Sequence, residues 1–128
     1  RTTYAILPAG KRALESKLMD MLANPFNEFP SFPQAMAEAH NLSAGVVLEL
    51  LAKRISTLRE QISELNDYAK GAQSQDVERF YWIHVNYQVA MRETELAWIE
   101  QLCTNIRNGE MPWPEITSLT SLEQNNKL

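Results

Sequence analysis

The residues able to do acid–base, nucleophilic or metal chemistry are few in this chain, and they are scattered. There are two histidines, His40 and His84, and one cysteine, Cys103. A di-iron helical bundle carries paired Glu-x-x-His ligands, and the position three before His84 is Tyr81. Zinc needs a cluster of Cys and His, and Cys103 has no such neighbour in sequence. Gly10, Gly45, Gly71 and Gly109 stand singly, so no glycine-rich loop cradles a phosphate. Serines and carboxylates are present, but no pattern marks a nucleophile. We expect no catalytic residue, no metal and no cofactor.

What remains is the chemistry of recognition. Phe80, Tyr81, Trp82, Tyr87 and Trp98 surround His84 in sequence. Tyr and Trp bring polar tips into an apolar wall, so Tyr81, His84, Tyr87 and Trp98 are candidate residues for a planar aromatic ligand. The competing reading is packing. Phe80, His84, Tyr87, Met91, Trp98 and Leu102 recur at spacings of three, four and seven. That places them on one side of a helix, as core or dimer contacts. His84 reads either as a hydrogen-bonded interfacial residue or as a polar, pH-sensitive anchor in a cavity. Cys103, beside Leu102, reads as a small buried residue. Glu93, Glu95 and Glu100 near Arg92 are a solvated face or interfacial ion pairs, each worth little alone.

These residues share the stretch 76–108, which has no Gly or Pro. Tyr81, Val85, Val89 and Ile83, Ala90, Ala97 form neighbouring stripes that widen its apolar surface. A helix this broad needs cover from two directions, and a second subunit is expected to supply one of them. Asp76 is placed to cap its start and Gly109 to end it. Upstream, Ser43 is a good N-cap for a helix in which Val47, Leu51, Ile55, Leu58, Ile62 and Leu65 run in heptad-like order. It is expected to run to Ala69 or Lys70 and stop at Gly71. The two helices, roughly 28 and 33 residues or about 40 and 50 Å long, should fold back as an antiparallel hairpin.

The earlier part reads as shorter pieces. Thr2, Thr3, Tyr4, Ala5 and Ile6 predict a short strand. Pro8 suits the first turn of a helix carrying Ala13, Leu14, Leu18, Met21 and Leu22, which Pro25 ends. Phe26, Phe29 and Phe32 lie in a proline-broken loop, as plugs over a helix pair or as a ligand gate. Pro33 opens a short helix that closes near His40 and Asn41. At the other end, Met111, Pro112, Trp113 and Pro114 predict a strap docked on the bundle, followed by a polar, disordered tail.

The expected fold is therefore mainly α: an antiparallel long-helix hairpin with shorter helices, forming a dimeric bundle, plus one N-terminal strand. Its divisions are residues 1–7, a linker helix 8–24, a helical domain 25–116 and a tail 117–128. The net charge of −4, with pI near 5.2, gives no general attraction for phosphate backbones, so these residues are not expected to hold DNA. No stretch approaches twenty uncharged apolar residues, so no membrane span is expected. One cysteine makes no internal disulfide, which fits a cytoplasmic setting. The opening at Arg1, without Met, suggests a piece of something longer.

Three strings resemble PadR-like transcriptional regulators. Tyr4-Ala5-Ile6-Leu7-Pro8-Ala9-Gly10-Lys11-Arg12-Ala13-Leu14 is similar to the family's Tyr-x-Leu-Thr-x-x-Gly-Arg-x-x-Leu. Ile6, Leu7 and Lys11 depart from it, and Leu7 removes the capping Thr. The segment from Leu50 to Leu58 resembles Leu-x-x-Arg-x-x-x-Leu, with Arg54 in the arginine position. Glu93-Thr94-Glu95-Leu96-Ala97-Trp98-Ile99 resembles the acid-x-Glu-Leu-x-Trp-Leu signature of the last helix. The resemblance spans about residues 4–109. It implies the carboxy-terminal effector and dimerisation domain, of virulence-activator type. A winged-helix DNA-binding domain would precede Arg1, and residues 1–6 would be its last wing strand. It further implies a homodimer, DNA contact only through that missing domain, and response to a small aromatic or phenolic ligand. Two other readings stand beside it: a structural helical adaptor without ligand, and the ligand domain of a TetR-like regulator. The strand signal counts against the last.

Overall fold

A computed structural model describes residues 7–25 and 31–115. Among these the chain is mainly helical, with no strand. The expected strand, the tail, and Phe26 and Phe29 of the loop lie outside the described residues. Contacts divide the chain into two compact units, Arg1–Met36 and Ala37–Leu128, with the boundary inside the second helix.

In the first unit, α1 spans Pro8–Ala23, with Pro8 in its first turn and no side-chain cap at Leu7. The absent cap follows from Leu standing where an Asp, Ser or Thr would accept from a free backbone N–H. Asn24 ends the helix in an extended conformation, as expected of a residue preceding proline. No residue of α1 is buried, and Leu14, Leu18, Met21 and Leu22 stand exposed. The second helix, α2, spans Ser31–Glu38 and so begins two residues before Pro33. Proline is tolerated in a first turn because the N–H it lacks has no helical acceptor there. Phe32 is half-buried.

The second unit is organised by two long helices in contact, α3 (Ala44–Ser74) and α4 (Ile83–Asn108). Ser43 caps α3 through its hydroxyl, which accepts from the Val46 N–H at 3.3 Å. The hairpin differs from expectation at its turn. Helix α3 does not stop at Gly71 but runs on to Ser74. One glycine costs a helix only about 1 kcal/mol, and half-buried Ala69 and Ala72 continue the inward stripe on either side. Asp76 is not a helix cap. It takes a left-handed conformation, φ 53°, which Asp tolerates better than most residues, and it lies where the chain reverses. A 3-10 turn at Arg79–Tyr81 follows, and α4 begins only at Ile83.

Trp82 explains the delay. Its indole is buried and donates from Nε1 to the Val77 carbonyl at 3.1 Å, tying the turn back on itself. The hairpin is therefore made of 31 and 26 residues, about 47 and 39 Å long, with the upstream helix the longer. At its far end, Gly109 adopts φ 79° as the C-terminal stop, and the Met111 N–H reaches the Asn105 carbonyl at 3.0 Å. Trp113 then donates to the Leu42 carbonyl at 2.8 Å, so the strap is tied to the residue just before the α3 cap.

Candidate functional site

Helix α4 presents two different faces. The inward one carries Val85, Ile99, Leu102, Cys103 and Ile106, all buried, opposite Val47, Leu51 and Leu58 of α3. Ile99 is fully buried. The sector of α4 that meets α3 is centred on Ile99. The residues at two-turn intervals around Ile99 fill it, while the Tyr87–Met91–Trp98 stripe lies roughly a third of a turn away. Of the six residues expected on one core or dimer face, Leu102 is in the core of the single chain. Phe80, His84, Tyr87, Met91 and Trp98 are exposed. The Phe80 and Tyr81 rings lie 4.5 Å apart, centroid to centroid, at the head of the helix.

Three charged residues of α4 reach across to α3. Arg54 makes a two-point contact with Glu95, Nε to Oε2 at 3.1 Å and Nη2 to Oε1 at 3.0 Å. Arg59 reaches Glu100 at 2.9 Å. Arg92 pairs with neither glutamate: its Nε donates to Gln61 Oε1 at 3.0 Å, and Nη1 to the Gln88 carbonyl at 3.3 Å. The acidic residues near Arg92 in sequence are thus rungs across the hairpin in two cases out of three.

Two open hollows flank the helix pair. One, of about 470 Å³, is lined by Gln61, Leu65, Tyr68, His84, Gln88 and Arg92 among others. The other, about 310 Å³, lies under the turn between Tyr68, Ala72, Val77, Tyr81 and Trp82. The four candidate ligand residues therefore part company. His84 borders the first hollow, Tyr81 the second, and Tyr87 and Trp98 border neither. Trp82, in no expected stripe, is the aromatic residue that plugs the turn. Its only signal in sequence is its place in an aromatic run just after a polar linker. Among the described residues, no three His, Cys, Asp or Glu side chains group closely enough to hold a metal ion. Nor is any helix there long and apolar enough to cross a membrane.

No family model, curated protein or solved structure matches this chain.

Proposed function

We propose that this chain is the dimerising domain of a PadR-like transcriptional regulator, whose winged helix, elsewhere in the protein, holds the DNA. The observation that carries this reading is the meeting of two of the resembling strings. Leu51 and Leu58 of the first are buried, and Arg54 between them grips Glu95 of the second, which continues into fully buried Ile99. Strings that resemble one family, lying 41 residues apart, form one joint of the hairpin. The exposed aromatic face of α4 supplies the surface for a partner. In this reading the dimer sets the spacing of two winged helices on half-sites about one helical turn apart. A ligand acts only through unequal affinity for the DNA-competent and incompetent arrangements.

A module that only dimerises, with no ligand, is the second reading. The separation of Tyr81, His84, Tyr87 and Trp98 into different surroundings favours it over a single aromatic cage. Thermal denaturation with a panel of phenolic acids distinguishes the two. Stabilisation by a planar aromatic supports sensing, and its absence leaves dimerisation alone. The coding sequence upstream of Arg1 tests the regulator itself, which requires a recognition helix and wing there. Sedimentation velocity at micromolar concentration tests the pairing: a compact monomer overturns it.

A further inference from the structure

One surface of the hairpin has the properties of an interface with a second copy of itself. Ile83, Tyr87, Met91, Thr94 and Trp98 follow one another at steps of four, four, three and four, so they form a single outer stripe on α4. All are exposed: Tyr87 by 66% and Trp98 by 53%. None of them is charged. Three of the five charged residues of the helix, Arg92, Glu95 and Glu100, are instead bound to α3 side chains.

The exposed area fits a dimer. At roughly 200 Å² for a large aromatic side chain, Tyr87 and Trp98 of the stripe leave on the order of 250 Å² in water. With half-exposed Ile83 and Met91 the stripe offers on the order of 450 Å² per copy, roughly 900 Å² for the pair, which is the size of a small interface.

We infer that two copies pair through this stripe, α4 against α4, antiparallel about a two-fold axis between Ala90 and Met91. This rests on the dimerisation reading above and specifies its surface. Two features of the stripe select the occupant and the direction. An uncharged face meets its own copy without opposing like charges, and a two-fold interface requires that self-complementarity. In a parallel pair Trp98 faces Trp98 and Tyr87 faces Tyr87, bulk against bulk. In the antiparallel pair each large residue meets a smaller one: Trp98 opposite Ile83, Tyr87 opposite Thr94, and Met91 opposite Ala90. Layers of unequal size interdigitate at native packing density, and layers of equal bulk hold the helices apart.

The test has two arms on the intact chain. Sedimentation of the wild type, Met91→Glu and, as a control on α1, Leu18→Glu gives the state of assembly, with circular dichroism to show that helicity is kept. The expected result is a dimeric wild type, a monomeric Met91→Glu and a dimeric Leu18→Glu. A dimer unaffected by Met91→Glu overturns the surface and leaves the dimerisation reading standing. A monomeric wild type overturns both. The second arm sets direction by oxidation of single-cysteine substitutions, with buried Cys103 common to all samples. A mixture of Tyr87→Cys and Thr94→Cys chains should form a mixed disulfide. Tyr87→Cys alone should not, since in the antiparallel pair its two copies are offset by seven residues, about 10 Å, beyond disulfide reach. A disulfide between two Tyr87→Cys chains, with no mixed product, overturns the antiparallel arrangement.

Discussion

Neighbouring residues on α4 divide the work between the two faces. Ile99 is fully buried, and Trp98, one step along the helix, is half exposed. Truncating Ile99 to Ala leaves a cavity against α3 and should cost about 2 to 5 kcal/mol in urea denaturation. Trp98→Ala, measured where the wild type is monomeric, should cost less, about 1 to 2 kcal/mol, because about half of the residue is already in water. The same change should weaken self-association strongly. An Ile99→Ala cost as small as that of Trp98→Ala would mean that the inward face is assigned to the wrong residues. The Arg54–Glu95 pair is smaller in effect. Its side chains are 40% and 30% exposed. A double-mutant cycle with Ala at both positions should give a coupling of roughly 0.5 to 1 kcal/mol that shrinks with added salt. Coupling that persists unchanged in molar salt would contradict an electrostatic rung.

Much of the element scale was legible in the sequence, and the failures have a common physical cause. Ser43, Pro8 and Gly109 act locally, through a hydroxyl, a fixed φ and a missing Cβ. Each stands where its chemistry predicts. The turn between α3 and α4 is different. Gly71 signals a stop by propensity, but the packing of the flanking alanines carries the helix past it. Asp76 has the composition of a cap, yet serves in a left-handed turn that the buried Trp82 closes. Both misreadings come from tertiary contact overriding local preference. Periodicity shows the apolar stripes of α4 without telling which one meets α3, because several stripes are apolar and only tertiary packing chooses between them. Two glycines test the account in opposite directions. Gly71→Ala meets nothing within 4 Å and lies in a helix, so it should stabilise by about 0.5 to 1 kcal/mol. Gly109→Ala forces a side chain into φ 79° and should destabilise by about 1 to 2 kcal/mol. If Gly71→Ala destabilises instead, α3 ends before that residue.

For the whole molecule the deciding quantity is how much apolar surface one chain leaves in water. Tyr87, Met91 and Trp98 of α4 are all at least half exposed. The buried core comes mainly from one side of each hairpin helix. A folded state completed by a second copy is stabilised by mass action, because association opposes unfolding. Each tenfold rise in chain concentration then adds about 1.4 kcal/mol to the paired state. The melting temperature should therefore climb steadily between about 1 and 100 μM chain. Met91→Glu should flatten that dependence while keeping the helical signal, since the substitution lies on the outer stripe and removes nothing from the inward core. Circular dichroism melts across the concentration series check it directly. A wild-type melting temperature independent of concentration, with sedimentation as a monomer, means that one hairpin is stable alone and that its aromatic face serves something other than a second copy.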